Sequence, residues 1–134
     1  MTTKEELQNL TYDQHKAALI KAVELRGNQF VYPKEERDGN SCMYTREVEG
    51  KRVGSCIVGV ALIDVLGLEA DDYLIESHAP ADSLLSNLGV SNRAVLTMYS
   101  EAQYTQDLEG TWGGARDSGI EAGDYIVARE RNND

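Results

Sequence analysis

The triplet Gly54-Ser55-Cys56, followed later in the chain by His78, is the pattern most like a catalytic one. A thiol at a helix N-terminus has its thiolate stabilised by the helix dipole, and a histidine can act as its base, as in papain-like enzymes. However, no glutamine precedes the cysteine at oxyanion-hole spacing, and no distinctive Asn or Asp partner follows the histidine. A free cysteine beside aliphatic residues is more often a small core residue. We therefore expect a non-enzymatic protein, with a cysteine-dependent hydrolase or transferase using Cys56 and His78 as an alternative.

Side chains that prefer transition metals are scattered along the sequence. They are His15, Cys42, Cys56 and His78. Neither C-x-x-C nor H-x-x-x-H occurs, and His15 is expected on a helix surface or closing a first helical turn. The acidic pairs Glu35-Glu36 and Asp71-Asp72 lack the pattern of a calcium loop, and the glycines form no phosphate-binding loop. We expect no metal and no cofactor.

Charge is distributed unevenly along the chain. The formal net charge of −10 argues against direct binding of nucleic acid, which requires a basic patch. Residues 53–115 contain nine acids against the single base Arg93. This asymmetry indicates a basic partner surface, reached through steering and charge complementarity. The acids assigned to such a binding surface are Glu69, Asp71, Asp72 and Glu76.

Two other interpretations of the acidic segment stay open. The carboxylates could simply coat the solvent faces of helices and keep the protein soluble. They could also stand in for phosphates in a DNA mimic that inhibits a host nucleic-acid-binding protein. A mimic needs regular rows of acids, and Glu69, Asp72 and Glu76, spaced i, i+3 and i+7, supply one short row.

Length and composition predict a single domain. The 134 residues, of which 41% are apolar, suffice for one core. The longest apolar run, residues 56–63, is shorter than the ~20 residues of a membrane span, and the opening residues predict no export signal. We expect a cytoplasmic α+β domain over residues 11–128, with a flexible lead-in over residues 1–10 and a frayed tail over residues 129–134.

The first half of the chain predicts a helix, a short strand and a hairpin. Thr11-x-x-Gln14 is a capping-box pattern that opens a helix over residues 11–26. Residues 29–32 predict an edge strand, and residues 34–41 predict a loop. Residues 42–47 and 51–56 flank a three-residue turn at 48–50, which places Cys42 opposite Cys56. A two-residue turn would put the cysteines on opposite faces.

The second half predicts helices. Ser55 caps an apolar, buried helix that runs through Leu62 to Gly67. A turn of helix over residues 72–75, a short helix from Pro80 to Gly89, and a helix over residues 91–109 capped by Ser91 follow. A last, glycine-weakened helix starts at Thr111 and is anchored by Trp112. These elements predict an antiparallel sheet of two or three strands packed on four to five helices.

The aromatic residues allow two interpretations. Phe30, Tyr32 and Tyr44 could form a stacking surface, but such residues more often close a small core while their hydroxyls reach water. Tyr99 and Tyr104, five residues apart on the predicted long helix, cannot both face the same way.

Short motifs along residues 17–115 carry a resemblance to a known group of proteins. They are Ala22, Leu25-Arg26-Gly27, Phe30-Val31-Tyr32, Cys42-x-Tyr44, Ser55-Cys56-Ile57-Val58-Gly59, Leu62, Leu66-Gly67, Leu84-Leu85, Leu88-Gly89, Ala102-Gln103, Gln106-Asp107 and Trp112-Gly113. At these positions the sequence resembles small proteins encoded by phages of actinobacteria, mycobacteriophages among them, and by some of their hosts. The group has no assigned chemistry, so the resemblance implies a phage origin and no catalytic residues. By analogy with other small phage proteins, we expect a phage accessory protein that binds a host protein in the host cytoplasm.

Overall fold

The computed structural model describes residues 2–33 and 43–132, and helices make up most of this part of the chain. The helices are α1 (Lys4–Gln8), α2 (Tyr12–Arg26), α3 (Ile57–Gly59), α4 (Asp72–Glu76), α5 (Ala81–Asn87), α6 (Arg93–Asp107) and α7 (Trp112–Asn132). Strands β1 (Thr45–Val48) and β2 (Lys51–Gly54) form an antiparallel hairpin. The predicted α+β class is confirmed, while the described residues contain more helices than the four to five expected. None of these helices is both long and apolar enough to cross a membrane.

The buried helix predicted after the hairpin is present and lies in the core. Helix α3 continues without a break into a π-helical stretch, Val60–Val65, and we call residues 57–65 the central helix. Leu62 is 1% exposed, as expected for a segment that is apolar on most sides. A Cβ on Gly59 would lie 1.9 Å from the Tyr44 carbonyl oxygen, so only glycine allows the hairpin to approach this closely.

Two glutamines of α6 cap the helices that pack against it. The Gln106 Oε1 atom accepts a hydrogen bond of 2.7 Å from the backbone N–H of Ile57, the first residue of α3. The Gln103 Oε1 atom accepts a bond of 2.7 Å from the N–H of Ala81, the first residue of α5. The residues at the N-caps themselves, Cys56 and Pro80, provide no side-chain cap. Both glutamines are buried, so α6 satisfies helix-terminal donors that water does not reach.

Glycines allow α7 to lie close against its neighbours. A Cβ on Gly119 would be 2.7 Å from the Met98 carbonyl oxygen of α6, and one on Gly123 would be 2.4 Å from the Tyr12 hydroxyl of α2. Gly119 and Gly123, which weaken this helix in isolation, are therefore required by its packing. Trp112 is fully buried at the start of α7, which confirms its predicted role as an anchor.

The hairpin has the two-residue turn rather than the three-residue turn. Thr45 pairs with Gly54 and Val48 with Lys51, leaving Glu49 and Gly50 as the turn. Both have positive φ values, 51° and 80°, as in the type I′ turn that suits the twist of paired strands. The three-residue register, on which the placement of Cys42 opposite Cys56 depended, is therefore wrong. Cys42 itself, like the predicted loop over residues 34–41, lies outside the described residues.

Residues near both ends of the described part lie in helices, where a flexible lead-in and a frayed tail were predicted. Thr3 and Glu6 form a capping box at α1, and Leu7 is fully buried, so residues 2–10 belong to the fold instead of forming a flexible lead-in. At the other end, α7 continues to Asn132, so the frayed tail predicted from residue 129 is wrong up to that point. Residues 133 and 134 lie outside the described part.

Three local predictions are corrected in the middle of the chain. Residues 29–32 form no strand but one isolated bridge, Val31 to Thr111, because the carbonyl of Phe30 accepts the Trp112 N–H at the start of α7. Helix α6 is capped by Asn92 instead of Ser91, through its Oδ1 atom. Ser55 does not cap the central helix, since its hydroxyl bonds to Tyr32 instead. The capping box at Thr11, the helical turn at Asp72 and the short helix after Pro80 are confirmed.

Candidate functional site

Cys56, the nucleophile of the catalytic alternative, is not accessible to a substrate. Cys56 is a free thiol, but it is fully buried at the start of the central helix. His78 is exposed in the segment between α4 and α5. A cysteine nucleophile needs an accessible thiolate, and this side chain is instead a core residue under the hairpin. The described geometry therefore offers no support for catalysis by this pair.

The tyrosines of the first half belong to the core. Tyr32 and Tyr44 are 2% and 1% exposed, which confirms the core interpretation over a stacking surface for these two residues. Their hydroxyls do not reach water, contrary to expectation. The Tyr32 hydroxyl lies 2.7 Å from the Ser55 Oγ atom, and the Tyr44 hydroxyl accepts a bond of 2.9 Å from the Gln103 Nε2 atom. The Tyr44 bond ties the residue before β1 to α6, the Tyr32 bond ties the segment after α2 to the residue after β2, and neither ring forms part of a flat aromatic surface.

The acids predicted to bind a partner fall into two kinds. Glu69, Asp72 and Glu76 are exposed. Asp71 is a structural residue, because its Oδ1 atom accepts the Leu74 N–H at 3.0 Å and caps α4, while its Oδ2 atom lies 3.3 Å from the Lys4 ammonium. Asp71 and Glu69 also line a shallow cavity of about 370 Å³ beside the N-terminal segment.

The single row of acids that a DNA mimic would use is not one helix face. Helix α4 begins at Asp72, so Glu69 lies in the preceding loop while Glu76 ends the helix. The i, i+3, i+7 spacing therefore does not align these carboxylates along one axis.

A second surface, which the sequence analysis missed, lies between α6 and α7. A groove of about 450 Å³ opens there between the two helices. Its lining residues are Thr97, Glu101, Ser118, Glu121, Ala122, Tyr125 and Ile126. Along α6, the spacing of Thr97, Glu101 and Tyr104 places them on one outward stripe, which the C-cap residue Leu108 continues. We call the lining residues together with Tyr104 and Leu108 the α6–α7 face.

Large apolar side chains on this face are unusually exposed. Tyr104, Leu108 and Tyr125 are 60%, 65% and 62% exposed, and Tyr125 lines the groove with the carboxylates Glu101 and Glu121. Tyr99, by contrast, is fully buried, which confirms that it and Tyr104 face opposite ways. The available sequence signal for the face was this stripe of α6. The direction in which α7 points Tyr125 was not predictable, because its glycines obscure the apolar periodicity.

The groove continues past the first turn of α6. A smaller cavity of about 240 Å³ shares Thr97 and Glu101 with it and extends to Asp82 of α5 and Arg93 of α6. Three acids thus line the combined groove against the single base Arg93. This composition makes the groove attractive to cationic side chains and provides apolar contacts beside them.

His15 is a titratable group that the fold buries in the core. It is fully buried, contrary to the surface position expected, and its Nδ1 atom forms a hydrogen bond of 2.9 Å with the Tyr99 hydroxyl. Burial disfavours the charged ring and lowers the pKa of His15 from 6.5 to about 4, although the nearby backbone of Leu7 opposes this. The Nε2 atom makes no hydrogen bond of good geometry with that backbone. The neutral ring is a core residue that joins α2 to α6.

Over residues 2–33 and 43–132, no three His, Cys, Asp or Glu side chains come close enough together to hold a metal ion. Comparison of the chain with protein-family models, with curated proteins and with solved structures finds no match. The function is therefore argued from the residues of the two surfaces themselves.

The burial of Cys56 predicts an unreactive thiol. In a Cys42→Ser variant, a thiol reagent such as dithionitrobenzoate should label Cys56 only as fast as the protein unfolds, because the side chain is fully buried. The rate is measured with and without denaturant. Rapid labelling of the native protein would show an accessible thiol and reopen the catalytic alternative.

Burial of His15 also predicts acid sensitivity. Because its pKa is lower in the folded chain than the ordinary 6.5, the unfolded chain binds a proton that the folded chain does not. The free energy of unfolding therefore has its full value above pH 6.5 and decreases by roughly 3 kcal/mol as the pH falls towards 4.

Urea unfolding at about pH 7.5 and about pH 4.5 measures this loss. A His15→Gln variant should lose less stability between the two pH values than the parent. The matched control is His78→Gln, at the other and exposed histidine, which should lose as much as the parent. An equal loss in His15→Gln and in the parent would contradict the assignment.

Proposed function

We propose that the chain is a non-enzymatic phage accessory protein that binds a host protein through a surface that includes acidic helical elements. One observation supports this most strongly. Of the nine acids in residues 53–115, seven are exposed and the other two, Asp71 and Asp107, are half-buried. The negative charge of this region is therefore displayed at the surface, where it can attract a basic partner.

The phage origin of the proposal rests on the sequence resemblance, and the host cytoplasm follows from it as the place of action. The structure supports a binding role over the enzymatic alternative, since Cys56 is buried away from any substrate. A DNA mimic is disfavoured because its short row of acids is divided between a loop and α4. A host protein with a basic surface fits the described charges best.

Within this proposal, the exposed acids Glu69, Asp72 and Glu76 steer the partner as it approaches. Asp71 is excluded from a charge-reversal test, because removing its cap on Leu74 would destabilise α4 by about 1 kcal/mol and confuse binding with folding. Lys4, which pairs with Asp71, is left unchanged for the same reason.

A triple change of Glu69, Asp72 and Glu76 to Lys should slow association. The partner is first captured from an actinobacterial lysate and purified, and its association rate is measured over a range of salt concentrations. We expect the rate at low salt to fall by about 10-fold or more and to lose much of its salt dependence. Thermal unfolding should change little, because the three side chains are exposed.

The matched control changes Asp13, Glu24 and Glu130 to Lys, since these exposed acids lie on α2 and α7 and not on α4 or on the strand β1 that contacts it. It alters the net charge by the same amount. Equal effects of the two triple variants would indicate that only total charge matters. A partner that associates as fast with the triple variant of Glu69, Asp72 and Glu76 (the α4 triple variant) as with the parent would contradict the electrostatic proposal.

A further inference from the structure

The α6–α7 face combines two properties that a purely solvating surface does not need. Of the six large apolar side chains that are strongly exposed in the described residues, three lie here: Tyr104, Leu108 and Tyr125. Tyr125 lines the groove together with Glu101 and Glu121, and Tyr104 and Leu108 follow Glu101 along the same side of the helix. Exposed apolar groups gathered around a groove are typical of a protein-binding surface, whereas single exposed groups are not.

We propose that this face is the binding site for an amphipathic, basic helix of the partner protein. The inference rests on the proposed function and adds the surface and the form of the bound segment. Two neighbouring helices leave a furrow into which a third helix packs, with apolar side chains at i, i+3 and i+4 facing the furrow. Tyr125 and Ile126 line this furrow, and Tyr104 and Leu108, four residues apart, extend the apolar contacts beyond it along the outer stripe of α6.

The charges that line the groove favour a basic helix as the bound segment. Glu101 and Glu121 lie in the groove itself, Asp82 lies at its extension, and Arg93 is the one base among the residues that line the two cavities. Lysine or arginine side chains flanking the apolar stripe of the bound helix would meet these carboxylates. A second copy of this chain is a poor occupant, because it would bring the same acids and a net charge of −10 against them.

The α6–α7 face and the acids around α4 should affect different rate constants of binding. Exposed charges away from the contact mainly change the association rate, while buried anchors in the contact mainly change the dissociation rate. Changes of Glu69, Asp72 and Glu76 should therefore lower the association rate, whereas changes of Tyr104 and Tyr125 should raise the dissociation rate. This separates the two surfaces in one binding experiment.

The test uses a synthetic amphipathic helix of leucine and lysine as probe, with a leucine and glutamate peptide of the same pattern as control. Binding is followed by fluorescence anisotropy, and the contact is mapped by backbone amide shifts in the full chain. We expect the basic peptide to bind with shifts concentrated on residues 97–108 and 118–126, while the acidic peptide does not bind. Affinity should fall about 10-fold in Tyr125→Ser and in the Glu101→Lys, Glu121→Lys double variant.

Controls in the same chain use residues of matched exposure. Leu25→Ser removes an apolar side chain that is 55% exposed on α2, and the α4 triple variant reverses charge elsewhere. Each should change peptide affinity by less than about 3-fold. Circular dichroism of every variant verifies that the fold is retained.

The outcomes separate this inference from the proposed function. Amide shifts that map to residues 69–76 would contradict the binding site on the α6–α7 face and would not contradict the proposed function. Equal binding of both peptides, or no binding of the basic peptide at about millimolar concentration, would overturn the basic-helix occupant, and the salt dependence of the captured partner would then decide the function separately. A dimer in sedimentation that Tyr125→Ser dissociates would show a second copy as the occupant and also overturn it.

Discussion

The first backbone N–H groups of α3 and α5 lie inside the protein, and the residues before them supply no acceptor. Cys56 and Pro80 occupy the N-cap positions without a side-chain cap, and the oxygens of Gln106 and Gln103 take their place at 2.7 Å. A buried donor without a partner costs roughly 1 to 3 kcal/mol, a large part of the stability of a domain of this size. The packing of the central helix and of α5 depends on these two bonds from α6.

The same helix therefore serves the core and the surface. Its inner side carries the two glutamines and the buried Tyr99, while its outer stripe presents Glu101 and Tyr104. Since the caps fix the position of α6 and Gly119 fixes the distance to α7, the groove between the two helices is set by the core. The helix proposed to bind there would meet a groove that the core has already formed.

Several residues of the short motifs singled out in the sequence have structural roles in this chain. Gln103 and Gln106 cap other helices, Gly59 allows contact with Tyr44, and Trp112 packs edge-on against Phe30 at 4.9 Å between ring centroids. In these contacts the residues position the helices and the hairpin against one another.

Local patterns in the sequence predicted what depends on near neighbours. The capping box at Thr11 and the buried central helix follow from spacing and composition alone, as does the presence of a hairpin. The turn register did not follow, because Glu49 adopts a positive φ that its residue type disfavours. The caps from Gln106 and Gln103 join residues 49 and 22 positions apart, which no local pattern reveals.

The candidate site was predicted only in part, for a related reason. The acids around α4 are visible in the sequence as a run of charge, but the structural role of Asp71 as a cap and ion-pair partner emerges only from its contacts. The α6–α7 face depends on which way two helices turn against each other. That choice is made by the buried glutamines and by the glycines of α7.

Amide hydrogen exchange at Ile57 and Ala81 tests this account most directly. In a Gln106→Met variant, which keeps the side-chain volume but removes the acceptor, the Ile57 amide should lose protection selectively while Ala81 stays protected. Gln103→Met should have the reverse effect, and each should lower the free energy of unfolding by about 1 to 3 kcal/mol. An exposed glutamine, Gln29→Met, serves as the control with little effect. Unchanged protection at Ile57 in Gln106→Met would contradict the claim that α6 caps and positions the central helix.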